Sequence, residues 1–364
     1  MRLRVLILLA VMIGVIGLVF FATRKSDHSA SATTAVTNSP SPVLKSFGKV
    51  ARTSGALAAA DLAEPAALPA TNIFQRLTGG LEEFTLTPEQ LAEYLRQYGT
   101  NVETLLATQR TNYIRLAAEM FPNDPRVQYA ALTRDVFPEA RREWLDRFKK
   151  SAPDNSIADY LSARDYLKAG DRENALKDLA NAAGKSRFDD YTLEQVQNME
   201  DAQLSAGRSL VEAKVAAGSG LLLPQLAQFK GLAVDLQAIQ KEYIGAGDTA
   251  SAETIAQLGR SLGQQLSQGE GSRTLIGQLV GIAVERIMLN PLPPDSQPAF
   301  LNGTVQQRID EMTAFRQGTK TVTSEFNDML MRANETEVIS YFDRMKLQGE
   351  YKAMLWLRNR NSLR

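Results

Sequence analysis

Few residues of this chain have the chemistry of a catalytic group. The sequence contains no cysteine and a single histidine, His28. The lack of cysteine excludes disulfides, thiolate nucleophiles and cysteine-ligated zinc or iron–sulfur clusters. A serine nucleophile needs a basic partner, and the one imidazole lies in a Ser-rich stretch with no catalytic residues around it. Chemistry is therefore left to carboxylates and to phosphate-binding loops.

Two short motifs could still carry such chemistry. Asp189 and Asp190 could act as general acid and base if they were buried together, although adjacent carboxylates on a polar turn are more often structural. Residues 183–186 read Ala-Gly-Lys-Ser, as at the end of a phosphate-binding loop, but Leu179 stands where that loop needs its first glycine. We expect no active site, no metal and no cofactor. A carboxylate-based enzyme is the least favoured alternative.

The charges of the chain are balanced. The sequence has 41 Lys and Arg against 41 Asp and Glu. Residues 71–364 hold 34 of the basic and 38 of the acidic residues, so this part is mildly acidic and well mixed. Such a surface does not neutralise a row of phosphates, and we expect no nucleic-acid partner.

The N-terminal end has the pattern of a membrane anchor. After a short tail, 1–4, residues 5–23 contain an uninterrupted apolar run that is long enough to cross a bilayer as a helix. Basic residues on both sides of the run only weakly determine its orientation, and they favour a body on the extracytoplasmic side. We expect a single-pass membrane protein that contacts the lipid bilayer through 5–23. A cleaved signal peptide is the alternative, but the nearest Ala-x-Ala site, 30–32, lies beyond the flanking charges.

Composition divides the rest of the chain. Residues 24–70 are rich in Ser, Thr, Ala and Pro and have no apolar period, which predicts a disordered tether that includes His28. Residues 71–289 are predicted to form a helical domain. Four prolines within 290–298 interrupt it, so 290–364 is predicted to be a separate C-terminal helical unit.

The body is predicted to be all-α. Thr87, Pro88 and Gln90 form an N-terminal capping signal, apolar residues then follow at helical spacing, and Gly99 ends the helix. No stretch of alternating residues between hairpin turns indicates a strand. Gly277 and Gly281 are spaced for close packing of a buried helix against a neighbour.

The helical body contains an internal sequence repeat. Residues 166–175 and 243–252 both read Tyr-x-x-Ala-Gly-Asp-x-x-x-Ala, 77 residues apart. In each copy the glycine is expected to end one helix in a left-handed conformation and the aspartate to cap the next. The repeat therefore predicts two helix–turn–helix units of the same design.

These units resemble tetratricopeptide (TPR) repeats, whose pattern matches, in order, Ala163, Tyr166, Gly170, Asp171, Ala175, Leu179 and Ala182. The resemblance implies a TPR-like α-solenoid with a concave groove lined by the first helix of each unit. It covers about 125–185 well and 225–265 less well, since Ala256 replaces an aromatic residue in the second copy. An irregular helical bundle is the alternative fold.

By position, the resemblance places five residues in that groove: Tyr160, Arg164, Lys168, Gln237 and Lys241. Arg164 and Lys241 fall at equivalent places in the two copies, which suggests a basic stripe for an acidic or carboxylate-ended partner. Solvated helix charges are the simpler interpretation of both. The expected function is a scaffold that holds an unidentified protein partner near the membrane. A structural protein that self-associates as a homo-oligomer is the alternative.

Overall fold

The computed structural model describes residues 85–269 and 273–362. The chain divides into two units, Met1–Thr71 and Asn72–Arg364, and every described residue belongs to the second. The described part is 76% helical and contains no β-strand, so the all-α prediction is confirmed there. The predicted anchor (5–23), the tether (24–70) and His28 lie outside the described residues. Within the described ranges, no helix combines the length and the apolarity needed to cross a bilayer.

Fifteen α-helices make up the described part. In chain order, α1 to α15 are Pro88–Tyr98, Val102–Ala107, Thr111–Met120, Pro125–Thr133, Arg141–Ser151, Ser156–Lys168, Arg172–Ala183, Thr192–Ser205, Leu210–Ser219, Gln225–Gly245, Thr249–Gln268, Leu275–Leu289, Val305–Arg332, Glu335–Gln348 and Glu350–Ser362. A short 3₁₀ turn, Pro138–Ala140, precedes α5.

Helix α1 forms as its sequence predicts. The hydroxyl of Thr87 accepts a hydrogen bond from the backbone N–H of Gln90 (3.2 Å), and the Gln90 side chain accepts one from the N–H of Thr87 (3.0 Å). Pro88 occupies the first turn, and Gly99 ends the helix with φ at 79°. This reciprocal cap satisfies backbone donors that have no partner inside the helix.

The two copies of the repeat have the same turn geometry. Gly170 and Gly247 have φ of 80° and 78°. The N–H after each glycine donates to the tyrosine carbonyl five residues earlier, at 2.9 Å in both copies. The side chains of Asp171 and Asp248 then accept the N–H three residues on, at 3.1 and 3.0 Å. The predicted helix–turn–helix units are therefore α6–α7 and α10–α11.

A third turn of this kind lies between the two copies. Gly207 joins α8 to α9 with φ at 83°, and the N–H of Arg208 donates to the carbonyl of Gln203 (3.3 Å), five residues before it. Gln203 follows Tyr166 by 37 residues and precedes Tyr243 by 40. The sequence pattern missed this unit because Gln203 and Arg208 replace the tyrosine and the aspartate, while Ala206 and Gly207 remain.

The three hairpins do not stack in chain order. Helices α6 and α7 pack directly on α10 and α11, respectively, while α8 and α9 pack mainly on α2 and α14. The main apolar core runs from α2 to α12 and contains the fully buried side chains of Phe148, Tyr160 and Phe229. The middle hairpin, α8–α9, therefore does not lie between α6–α7 and α10–α11, the two hairpins that carry the repeated sequence.

Two glycines bring α11 and α12 into contact. A methyl group on Gly263 would lie 2.7 Å from the Gly281 carbonyl oxygen, and one on Gly281 would lie 2.5 Å from the Gly263 carbonyl oxygen. The close packing predicted for Gly281 is confirmed, and its partner is a glycine on the preceding helix. Gly277 is buried and donates its N–H to the hydroxyl of Thr274 (3.2 Å).

The C-terminal helices share a core with the rest of the body. Side chains of α13, α14 and α15 cluster with Val211 and Val215 of α9 and with Leu275 of α12. The buried Lys214 ammonium of α9 also pairs with Glu200 of α8 (2.8 Å) and Asp343 of α14 (2.6 Å). The unit predicted at 290–364 therefore packs on α9 through both apolar and ionic contacts.

Candidate functional site

Tyr160, one of the five predicted groove residues, does not line a groove. Its side chain is 0% exposed and lies in the main core, with its ring centroid 6.4 Å from that of Phe188. The prediction was wrong because α6 is buried all round its first two turns, so a position equivalent to a surface site in a repeat becomes a core position here. The Tyr160 hydroxyl has no hydrogen-bond partner among the described residues.

The other four positions lie on α6 and α10 and differ in what they can offer a partner. Gln237 is half-buried, and its amide nitrogen donates to the Ile287 carbonyl on α12 at 2.6 Å. Lys168 and Lys241 are exposed. Arg172 at the start of α7 pairs with Glu242 at 2.6 Å, which brings the C-terminal ends of α6 and α10 to the same edge of the body.

Arg164 occupies an unusual place between these helices. Its guanidinium lies against Gly231 of α10, where an added methyl group would approach one guanidinium nitrogen to 3.0 Å. Burial lowers the pKa of Arg164, and the nearby charge of Asp235 opposes that shift only in part. Within the described residues, the guanidinium makes no hydrogen bond, and no carboxylate lies within 4.0 Å of it.

An exposed apolar side chain adjoins this arginine. Val234 lies one helical turn after Gly231 on α10 and is 50% exposed, and Lys241 continues the same face. We call Arg164, Lys168, Val234 and Lys241 the Arg164 surface. It combines positive charge with a solvent-exposed apolar contact, and it includes three of the five predicted residues.

Asp189 and Asp190 are not buried together. Asp189 is partly exposed, pairs with Arg187 (2.9 Å) and accepts the N–H of Tyr191 (2.9 Å). Asp190 is 5% exposed and accepts the N–H of Thr192 (3.1 Å) and the amide of Gln225 (3.2 Å). Burial raises the pKa of Asp190 to about 6. The two neighbours therefore do not form an acid–base pair.

Asp190 lines a small cleft together with residues of α4. The cleft has a volume of about 60 Å³ and contains the side chains of Tyr129 and Arg134 as well as that of Asp190. Tyr129 is 8% exposed, and its hydroxyl has no hydrogen-bond partner among the described residues. The loop from Leu221 to Pro224 forms an apolar lip, with Leu222 58% exposed. We call this site the Asp190 cleft.

Two backbone segments that shape the cleft have positive φ at residues other than glycine. Tyr191 has φ at 54° at the start of α8, and Gln109 has φ at 51° after α2. Gln109 accepts a hydrogen bond from the Arg134 guanidinium (2.8 Å) and donates to the Gly220 carbonyl (3.0 Å) beside the lip. Such conformations cost energy, and here they turn side chains toward the cleft.

The cleft was hard to predict from the amino-acid sequence. Asp190 was recognisable as half of a carboxylate pair, but Tyr129 and Arg134 lie within an ordinary helical pattern, about 60 residues away along the chain. Only the tertiary fold brings the three side chains to one cleft. No group of three potential metal-ligating side chains occurs within 85–269 and 273–362.

Comparison with known proteins adds no assignment. No protein-family model matches the chain, no curated protein is significantly similar to it in sequence, and no solved structure matches it significantly.

Proposed function

We propose that this protein is a membrane-tethered scaffold that binds an acidic segment of a partner protein across the Arg164 surface. The observation that carries the proposal is the Arg164 guanidinium itself. It is half-buried against Gly231, and within the described residues it has no hydrogen-bond acceptor and no carboxylate within 4.0 Å, while the nearby charge of Asp235 offsets its burial only in part. A charged donor in that state is costly, and a carboxylate from a partner would offset the cost.

The surroundings of Arg164 fit a peptide or helix better than a small ion. Val234 offers an exposed apolar contact beside it, and the exposed ammonium groups of Lys168 and Lys241 lie toward the edge where α6 and α10 end. A partner with an apolar side chain flanked by carboxylates would complement all of these groups at once.

A TPR-like repeat is the fold class we propose for this scaffold. Its support is the shared Ala-Gly turn geometry of three hairpins, spaced by 37 and 40 residues, and the direct packing of α6–α7 on α10–α11. In such a fold the first helices of adjacent units form one binding face. Here those helices are α6 and α10, which carry the Arg164 surface.

The N-terminal sequence supports the proposed tethering. The apolar run within 5–23 would anchor the protein in the bilayer, and 24–70 would give the body a reach of roughly 35–40 Å. We propose that the body works on the extracytoplasmic side, as the flanking charges favour.

The test is a cross-linked pull-down from membrane extract with the tagged full chain and an Arg164→Glu/Lys241→Glu variant. A matched control, Lys320→Glu/Lys352→Glu, makes the same charge change at exposed lysines on α13 and α15. We expect a partner that is captured by wild type and by the control and is lost from the double variant. Equal capture by all three proteins would refute the proposal.

A charge-neutral variant sharpens the test. Gly231→Ala places a methyl group where the guanidinium lies, and the flexible Arg164 side chain can move aside without disturbing the helices. We expect this variant to keep its circular dichroism spectrum and to bind the same partner more weakly. If no foreign partner is captured and the full chain forms a concentration-dependent dimer, the self-associating alternative replaces the scaffold.

A further inference from the structure

The carboxyl group of Asp190 is buried without a cation. It is 5% exposed, and its two hydrogen-bond donors, the Thr192 N–H and the Gln225 amide, are both neutral. Within the described part of the chain, no Lys or Arg nitrogen lies within 4.0 Å of it, whereas Asp189 next to it pairs with Arg187. Buried carboxylates are ordinarily paired with a positive charge, so this one is open to a positively charged ligand group.

Arg134 presents the opposite charge in the same cleft. Its guanidinium is half-buried, and the hydrogen bond that it donates goes to the neutral side chain of Gln109 (2.8 Å). Burial lowers its pKa, and no carboxylate within the described ranges lies within 4.0 Å to oppose that effect. Arg126, which also lines the cleft, differs because Asp124 and Glu103 neutralise it at 2.7 and 2.6 Å.

Tyr129 supplies a third polar group to the cleft. Its hydroxyl is buried in the cleft wall and has no hydrogen-bond partner among the described residues. Burial and the neighbouring charge of Asp190 raise the pKa of this hydroxyl, so it remains protonated and can donate as well as accept. An unpartnered buried hydroxyl costs free energy that a bound polar ligand would recover.

The cleft is small and has an apolar lip. Its volume of about 60 Å³ excludes a folded segment but leaves room for a compact ligand of a few heavy atoms. Leu221, Leu222 and Leu223 line its edge, and Leu222 is 58% exposed. A small ligand that carries one positive and one negative group could therefore bind in the cleft and place a side chain against these leucines.

We propose that the Asp190 cleft binds a free α-amino acid, with its ammonium group on Asp190, its carboxylate on Arg134 and the Tyr129 hydroxyl bonded to one of them. Asp190 and Arg134 lie in one cavity but do not pair with each other, and an α-amino acid carries the two complementary charges on one carbon. This ligand site is separate from the Arg164 surface and does not depend on it.

The experiment is calorimetric titration of the detergent-solubilised full chain with individual L-amino acids, beginning with L-leucine because of the leucine lip. N-acetyl-L-leucine lacks the ammonium group and L-leucinamide lacks the carboxylate, so each removes one proposed contact. We expect one or more L-amino acids to bind saturably at one site per chain, and the two derivatives to bind at least about tenfold more weakly.

Three variants test the residues. Arg134→Gln and Asp190→Asn are expected to weaken binding by about tenfold or more, because each removes one charged contact. Tyr129→Phe removes a hydroxyl with no partner in the protein, so its thermal stability should not fall while its affinity drops several-fold. Asp328→Asn, at an exposed position on α13, is the matched control and should bind as wild type does.

Three outcomes would overturn the proposal. They are the absence of saturable binding for every L-amino acid up to about 10 mM, equal binding of the acetylated or amidated derivative, and unchanged affinity in Tyr129→Phe. The Tyr129 variant keeps the test valid even if a charge variant unfolds.

Discussion

Asp189 and Asp190 show how far the environments of adjacent identical side chains can differ. Asp189 reaches solvent and Arg187, while Asp190 caps the start of α8 from inside the protein. The backbone of Tyr191, with φ at 54°, turns the chain between them and the helix. The sequence could identify the pair but not which carboxylate is buried, because that depends on residues far along the chain, such as Gln225, that pack around the start of α8.

Asp190 should make the stability of the protein depend on pH. Its pKa is raised to about 6 in the folded state from the ordinary 3.8. Between these two pH values the folded state binds a proton that the unfolded state has released. The stabilisation of the folded state by this proton is therefore complete below pH 3.8 and is lost as pH rises through about 6. Two pKa units correspond to about 3 kcal/mol. The side chain of Asp190→Asn is neutral at every pH. Between pH 4 and pH 7 the free energy of unfolding of this variant should therefore fall by about 3 kcal/mol less than that of wild type.

Urea unfolding at several pH values would measure this difference. Asp328→Asn, which changes an exposed carboxylate on α13, should follow the wild-type curve. Parallel pH profiles for wild type and Asp190→Asn would show that the buried carboxyl does not titrate in this range.

Tyr160 and Arg164 show that residues on one face of a helix can differ in burial. Tyr160 and Arg164 lie four residues apart on one helix, and the resemblance to TPR repeats predicted that both line a groove. Tyr160 is fully buried, and Arg164 is half-buried at its edge. Spacing along a helix gives a common face, but how much of that face a neighbouring helix covers is not contained in the spacing.

At the scale of secondary-structure elements, the sequence was most informative where a glycine must adopt positive φ. The turns at Gly170 and Gly247 form as predicted, because a glycine followed by a capping aspartate has few other stable conformations. The turn at Gly207 has the same geometry without the aspartate, and Ser209 caps α9 in its place. A pattern that required the aspartate could not find it.

The contact between α11 and α12 should be sensitive to a single methyl group. Gly263→Ala would bring that group to 2.7 Å from the Gly281 carbonyl oxygen, so the two helices would have to separate. We expect Gly263→Ala and Gly281→Ala each to lower the free energy of unfolding by about 1–3 kcal/mol. Denaturant unfolding would measure the loss.

Gly245→Ala is the matched control for these substitutions. It lies in α10 with no atom within 4 Å of the added methyl group, and the higher helix propensity of alanine should leave stability unchanged or raise it by up to about 1 kcal/mol. Equal stability of all three variants would mean that α11 and α12 do not pack through their glycines.

At the scale of the whole body, buried ion clusters fasten elements that lie far apart in the chain. Glu285 of α12 is 1% exposed and pairs with Arg260 of α11 (3.0 Å) and Arg308 of α13 (2.8 Å). It therefore ties the helices before and after the proline-rich segment 290–298 to one another. Lys214 makes the corresponding link from α9 to α8 and α14.

Removing the charge of Glu285 should weaken this link. Glu285→Gln leaves two partly buried guanidinium groups without their shared carboxylate, and we expect a loss of about 2–4 kcal/mol because both arginines retain some contact with solvent. Glu311→Gln, which removes the exposed partner of Arg308, should cost less than about 1 kcal/mol. Thermal unfolding of both variants would compare them, and equal melting temperatures would contradict a role for the buried cluster.

The sequence by itself determined the properties that depend on local chemistry. The lack of cysteine limits the available reactions, helical periodicity and capping residues produce α1, and glycine at positive φ produces the repeated turns. Only the tertiary structure decided that α6 and α10 lie side by side, with Tyr160 in the core and Arg164 half-buried. It also decided that Asp190, Arg134 and Tyr129 line one cleft. These outcomes depend on which helices bury each other, and that choice is made by contacts between residues far apart in the chain.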